Sequence, residues 1–598
     1  MPTFKKQDQE QMDRAKDLLE GPAAEMGFVK SLFFGRLKLA DVIPYPTQPP
    51  DEVARTDALI AQVESFLKAN VDADRIDAEE RIPQEVIDGL GRLGVLGMTV
   101  PREFGGGGFS HTSYCRVLER ISRHCASTAV LVGAHQSIGL KALVLNGTEE
   151  QKRTFLPALA SGEKLAAFCL SEPMVGSDAA NVQMRAVLSD DGSHYILSGE
   201  KKYATNAALA GMMTVMARTA VAENGTTREK VTAFLVTPDL PGFEVVKQNR
   251  SKCGIRGSWQ AVLRFNQMRV PRDRVLGEPG KGLKVALGVL NYGRCTLSAG
   301  CVGGARLALE MAVERARTRE QFGRPIGQFH LVKEKIARMA ETTFAMDALT
   351  YLAAGLVDRH AGDIMLETAI AKLFCSEGLW SVVDDALQIW GGEGYMRETG
   401  LERMLRDARI NRIVEGATEV MTAFVALAGM KGVGEEFEQV LRASKHPMGN
   451  FGRLARFAQD QWRDIIVGPP VPDLHPDLTG QGESLARLTK LLARGVERVL
   501  MKYREEILDM QLIQQRIAGA VVHLYAMAAV IGKVQSLLQS HAIADGNGHD
   551  KLEREILVGK GFCRRAEEII LRHMHGLVEN QDAEVLAVAD AVMGWNGR

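Results

Sequence analysis

From Lys281 to Lys445 the chain carries a single proline, Pro325, and its apolar residues recur at helical spacing throughout. Few arrangements satisfy a run of that length. A bundle of several long helices is the expected one, because each apolar stripe must be buried against another helix. The segment before it has the opposite character. From about 165 to 277 the runs LAAFCLSE, HYILSGEKKYAT, MMTVMAR, KVTAFLVT and AVLRFNQMRV are short, apolar or alternating, and turn signals such as DDG and PDLPG separate them. That is the pattern of a β domain. Residues 52–100 read as helices, the glycine run Gly105 to Gly108 breaks them, and helical text resumes from about Ser113 to Ala160. After the bundle comes a proline-rich strip, GPPVPDLHP (468–476), and then long amphipathic helices over 484–540 and 551–577.

The expected architecture is therefore α+β and mainly α. It has an N-terminal extension (1–50), an N-terminal helical domain (51–164), a middle β-barrel-like domain (165–280), a helical bundle (281–432), a linker (433–483) and a C-terminal helical extension (484–598). At 598 residues the chain is too long for one core.

Composition removes several function classes. A formal net charge of −1 offers no basic field for nucleic acid. The eight cysteines are scattered without a CxxC pair, which speaks against a disulfide framework or zinc site and for a reducing compartment. Residues 1–22 mix charge signs and read as neither secretory signal nor transit peptide. No run reaches the roughly 18 uncharged apolar residues of a membrane span. The expected location is bacterial cytoplasm, with the periphery of the inner membrane as a variant. A processed eukaryotic chain would sit in the mitochondrial matrix or at its inner membrane.

Local motifs are sparse. GGEGYM (391–396) looks like a nucleotide loop, but helical text precedes it and no βαβ unit surrounds it, so a tight bend between helices is the better reading. There is no HExxH, and Ser177 in EPMVGSD does not fit GxSxG. Glu415, in RINRIVEGATEV, is a lone carboxylate in apolar text beside a glycine. A capped or salt-bridged helix-end glutamate is the ordinary explanation. Burial would instead lift its pKa toward the range of a useful base. Residue chemistry alone ends there.

Longer motifs carry further. AFCLSEPMVGSDAA (167–180) resembles the first signature of the acyl-CoA dehydrogenase family, and QIWGGEGYMRETGLERMLRDARINRIVEGATEV (388–420) resembles the second. GEKKYATN (199–206), RVPRDRVLGEPGKGLKVAL (269–287), NYGR (291–294) and RTREQFGRPI (317–326) lie between them in the family's order. FVKSLFFGRLKLADVIPYP (28–46), GAHQSIGLKAL (133–143) and the C-terminal extension are similar to the very-long-chain subfamily.

The resemblance implies FAD-dependent α,β-dehydrogenation of long- or very-long-chain acyl-CoA in fatty acid β-oxidation. It also implies electron transfer flavoprotein as oxidant and a homodimer or dimer of dimers. Glu415 would be the base that takes the pro-R α-proton. Phe168, Cys169, Leu170, Ser171, Gly176 and Ser177 would line the flavin, with Tyr203, Ala204 and Thr205 near its N5. Tyr203 stands where the family usually has tryptophan. Arg319, Phe322, His330, Gln388, Ile389, Trp390, Gly391 and Gly392 would reach the partner subunit's FAD, with His330 replacing a more usual glutamine. Thr418 and Glu419 are further flavin candidates. Ser177, Asn291, Arg294, Glu415 and Gly416 would meet the substrate. Some relatives carry the base just before the arginine corresponding to Arg294, and here that position is Gly293, which cannot serve. The alternatives are a scaffold role like that of a relative in respiratory complex I assembly, and an acyl-CoA oxidase. The helically spaced apolar residues of 447–468, with Arg453 and Arg456, suggest a peripheral membrane contact.

Overall fold

The computed structural model of the protein describes residues 26–223, 225–444, 473–541 and 549–595. The chain divides into two compact units. One is built from Thr47–Ala361 and Ala371–Ala417, the other from Ala24–Pro46, Gly362–Ile370 and Thr418–Arg598. The segment 447–468 singled out for membrane contact lies outside the described residues.

In the first unit, α1 (Pro50–Asn70) opens with proline at its first position and Asp51 and Glu52 in its first turn, where a fixed φ and negative charge both favour a helix start. Its Glu52 accepts the backbone N–H of Ser110 at 2.8 Å. Ser110 in turn caps α2 (His111–His124) through its hydroxyl. Asp358 receives the N–H groups of His111 and Thr112 at 2.6 and 2.9 Å, satisfying two more orphan donors of that helix start. Then α3 (Ala126–Gly133) runs into a π-helical turn, Ala134–Leu140. His135 stitches that turn down: its Nε2 lies 3.0 Å from the Leu96 carbonyl and its Nδ1 accepts the N–H of Ala166 at 2.9 Å.

Eight strands form one curled sheet: β1 (Leu165–Cys169), β2 (Arg185–Leu188), β3 (His194–Thr205), β4 (Ala210–Glu223), β5 (Thr226–Val236), β6 (Phe243–Lys247), β7 (Gln260–Pro271) and β8 (Val275–Leu276). Their order is β6-β7-β3-β2-β4-β5-β8, with β1 paired in parallel to β4. The interior is filled by Ala166, Leu197, Met213, Met216, Phe234, Leu263 and Val270, all fully buried. Alternation along β3 and β7 supplies Leu197, Leu263 and Val270.

The bundle follows in α4 (Gly282–Thr318), a two-residue hairpin of β9 (Glu320–Gln321) and β10 (Arg324–Pro325), α5 (His330–Asp358), α6 (Met365–Trp390) and α7 (Leu401–Arg409). Among the described residues, the hairpin is the one strand pair that helical periodicity hid. Phe322 and Gly323 at its tip have φ of +53° and +76°, the mirror-image turn that matches strand twist.

The second unit contains α8 (Thr418–Ser444), α9 (Thr479–Tyr503), α10 (Gln511–His541), α11 (His549–Gly576) and α12 (Asp582–Met593). The helical text of 484–540 thus divides, with a 3₁₀ turn at Arg504–Leu508 between α9 and α10. Among the described residues, two helical stretches, Ala126–Asn146 and Gln511–Ser540, are long and apolar enough to cross a membrane by length and composition. Their most apolar windows are 72% and 83% buried within the protein, the condition of core helices.

Candidate active site

The turn that presents Glu415 is held from both sides. Upstream, Arg406 of α7 grips Asp77 with two hydrogen bonds of 3.0 and 2.8 Å, and Asp407 accepts the Ile255 N–H at 2.5 Å. Arg412 then pairs with Glu377 of α6 at 2.7 Å. Past that anchor the backbone takes two consecutive left-handed residues, Glu415 at φ +54° and Gly416 at φ +101°. A glutamate in that region is strained and persists only where its surroundings over-determine it.

Glu415 is half-buried as a residue, whereas its Oε2 is inaccessible and has no hydrogen-bond partner among the described residues. Desolvation pushes the carboxyl up to about 7, against the pull of Lys372 and Arg294, which favour the ionised form. Lys372, fully buried on α6, donates from Nζ to the Gly416 carbonyl at 2.5 Å and so braces the turn as well as charging it. Burial pushes Lys372 down to about 8 and Arg294 down to about 10.

Gly293 of α4 lies directly against the carboxylate. A Cβ placed there would meet the two carboxylate oxygens at 2.9 and 3.0 Å and Ile138 of the π-helical turn at 2.9 Å. A side chain at this position would therefore displace the carboxylate from its present place. Asn291, one turn away, lies 3.5 Å from Arg294 Nη1. Asn291, Arg294, Glu415 and Gly416 therefore stand together. Lys372 was not singled out from the sequence; the signal was present as one lysine inside the apolar run AIAKLFC.

A second group forms where β1 leaves the sheet. Lys202 N–H donates to the Ser171 carbonyl at 2.9 Å, bringing the loop Leu170–Ser177 beside Tyr203–Thr205. Tyr203 has φ +62° and is 57% exposed, and the β3–β7 ladder slips between Lys202 and Ala204. The bulge turns Tyr203 outward. Cys169 and Ala204 face the barrel interior, 1% and 2% exposed, so only their main chain is available to a ligand. Phe168 and Leu170 pack partly on that core. Gly176 and Ser177 are exposed, and a Cβ at Gly176 would meet nothing within 4 Å. Thr205 receives Gln260 Nε2 at 3.4 Å.

A third group is exposed: Arg319, Phe322, His330, Gln388, Gly391 and Gly392. Gly391 takes φ +66° with ψ −141°, a conformation open to glycine, and open space lies beside it and Gly392. Ile389 is buried in the bundle core, and Trp390 donates Nε1–H to the Met311 carbonyl at 3.0 Å under the Arg315 guanidinium. Those two side chains hold α6 rather than face outward. Thr418 and Glu419 open α8, in the second unit. A separate cleft of about 440 Å³ lined by Arg55, Phe109 and Gly105–Gly107 contains none of these residues.

Fold and site together define a class: a helical, β and helical frame presenting one desolvated carboxylate on a left-handed turn against a glycine of a facing helix. The comparisons specify it. Residues 54–163, 167–268 and 280–430 match the N-terminal, middle and C-terminal domains of acyl-CoA dehydrogenase, and 476–596 match the ACAD9/ACADV C-terminal domain. The human mitochondrial very long-chain specific acyl-CoA dehydrogenase is 39% identical over 538 residues, 89% of this chain and 82% of that protein. The probable acyl-CoA dehydrogenase FadE10 of Mycobacterium tuberculosis is 41% identical over 410 residues, 67% of this chain and 62% of that protein. Among solved structures, an acyl-CoA dehydrogenase from Bacillus anthracis complexed with FAD is similar with TM-score 0.77 and 30% identity, covering 95% of both chains. Butyryl-CoA dehydrogenase from Megasphaera elsdenii covers 63% of this chain and 97% of its own, with TM-score 0.58 and 33% identity. The chain belongs to the acyl-CoA dehydrogenase family.

Proposed function

We propose that the protein dehydrogenates long- or very-long-chain acyl-CoA to the trans-2-enoyl-CoA in β-oxidation, with Glu415 as base. The observation that carries this is the Glu415 carboxylate, whose buried Oε2 has no hydrogen-bond partner among the described residues and which desolvation pushes up to about 7. A general base works best with a pKa near the operating pH, and this one is free of competing hydrogen bonds at Oε2. An α-proton beside a thioester is too weakly acidic for a carboxylate unaided, so donors to the thioester oxygen must stabilise the charge that develops there. The backbone N–H of Glu415 is assigned that task. Lys372 and Arg294 keep enough of the carboxyl ionised to act.

The residues present fit FAD. The loop Leu170–Ser177 and the Tyr203 bulge offer hydroxyls, main-chain donors and an exposed aromatic face, while Gly391 and Gly392 leave backbone open to close approach. When bound there, the flavin supplies the acceptor for the β-hydride. Electron transfer flavoprotein is the proposed oxidant. A homodimer is proposed because Phe322 at 93% and Leu331 at 82% exposure flank the hairpin that follows Arg319, an apolar surface suited to a second copy. All eight cysteines are free and seven are buried.

Anaerobic titration of the purified yellow protein with saturated acyl-CoAs of increasing length tests the proposal. Flavin bleaching is expected to be deepest with long chains. No bleaching with any acyl-CoA would overturn it, and peroxide formed in air without electron transfer flavoprotein would make the protein an oxidase instead. Arg319→Ala is expected to weaken FAD retention roughly tenfold to a hundredfold, as for a lost charge-assisted hydrogen bond of about 1.5–3 kcal/mol. FAD content and sedimentation measured together check it, and a fully loaded, stable dimer would place that side chain elsewhere.

A further inference from the structure

Between the two segments assigned to the flavin lies a buried ion pair. Lys201 of β3 and Glu172 of the loop after β1 meet at 2.7 Å, with side-chain exposures of 0% and 5%. Lys201 Nζ also donates to the Leu170 carbonyl at 3.0 Å. The Glu172 carboxylate further accepts the N–H groups of Gln183 and Met184 at 2.6 and 3.0 Å. A bridge between Glu172 and Val175 closes the loop on itself.

A pair like this does little for stability, since desolvating both charges offsets most of their attraction. What it does is fix geometry. Lys201 ties the carbonyl and the carboxylate on either side of Ser171, and two residues further along its own strand stands Tyr203, on the bulge. Neither charged group is accessible, so neither can touch a ligand lying on the exposed face. We propose that the Glu172–Lys201 pair is a positioning device that sets the loop Leu170–Ser177 against the Tyr203 bulge and thereby governs flavin affinity and flavin electronic environment without contact. This rests on the flavin reading above.

The test uses full-length holoenzyme carrying Lys201→Met, the double substitution Glu172→Gln/Lys201→Met, which leaves no unpaired charge, and Lys201→Arg, which keeps charge and donors on a longer arm. FAD dissociation constants and the visible circular dichroism of the bound flavin are read alongside thermal unfolding. The methionine variants are expected to lose about tenfold in FAD affinity with an altered flavin band, as displacement of a binding loop by a fraction of an ångström does. Lys201→Arg is expected to recover most of the affinity while its flavin band stays displaced from wild type. Wild-type affinity and band in a folded double variant would overturn the proposal. If the methionine variants do not fold, an unchanged flavin band in Lys201→Arg overturns it. Wild-type protein that binds no FAD would overturn the flavin reading and this inference with it, which separates the two failures.

Discussion

Glu415→Gln is expected to retain FAD and bind acyl-CoA while losing at least 10²–10⁴-fold in turnover, the usual loss for a positioned general base. Gly293 leaves no neighbouring carboxylate at the facing position to take over, and the nearest charges, Lys372 and Arg294, are cations. Flavin reduction followed by stopped flow is the measurement, and near-normal reduction in the variant would reject Glu415 as the base. In wild type, kcat/KM should rise as pH increases through about 7, because only the ionised carboxyl accepts a proton. The substitution also has a stability signature. The folded-state carboxyl sits near 7 against an ordinary 4.5, so the folded chain holds this proton more tightly than the unfolded chain does. Stability is therefore lost as pH rises from about 4.5 to about 7 and stays lost above it. Glutamine escapes that penalty, whose ceiling is roughly 3 kcal/mol, since each pH unit between the two values is worth about 1.4 kcal/mol. Glu415→Gln should melt higher than wild type at pH 8 and equally at pH 4.

Lys372→Met is expected to lower turnover at pH 7 by roughly tenfold to a hundredfold, two effects acting together. Loss of its hydrogen bond to the Gly416 carbonyl releases a left-handed turn that carries the base. Loss of its charge removes the larger of the two influences that favour ionised Glu415, so the carboxyl climbs further above 7. The pH profile separates these effects. An alkaline displacement of the acid limb, with activity partly regained at high pH, reports the electrostatic part, and a uniform loss across pH reports the turn. A profile superimposable on wild type in shape and height would mean that Lys372 is only a core residue.

The amino-acid sequence by itself determined the frame. Helical periodicity around Pro325, alternation between 165 and 277 and the proline strip at 468–476 each report a local preference, because side-chain period follows from backbone geometry within a few residues. The long motifs also pointed to Glu415 as the proposed base, with Gly293 at the position where some relatives carry theirs. Tertiary structure decided the surroundings of those residues. Lys372 on α6, Gly293 on α4 and Glu415 on the turn after α7 are far apart in sequence, and no periodic pattern records that three such elements converge. Burial of the Glu415 oxygen, and hence its pKa, is a property of that convergence. Packing likewise turned Ile389 and Trp390 into the bundle and Cys169 and Ala204 into the barrel, although each stands inside a motif assigned to the flavin. The same holds for Lys201 and Glu172, whose pairing across two segments becomes visible only when β3 and the loop after β1 are brought together. Local sequence encodes which face a residue prefers, while desolvation and long-range ion pairing arise from elements that meet only in the folded chain.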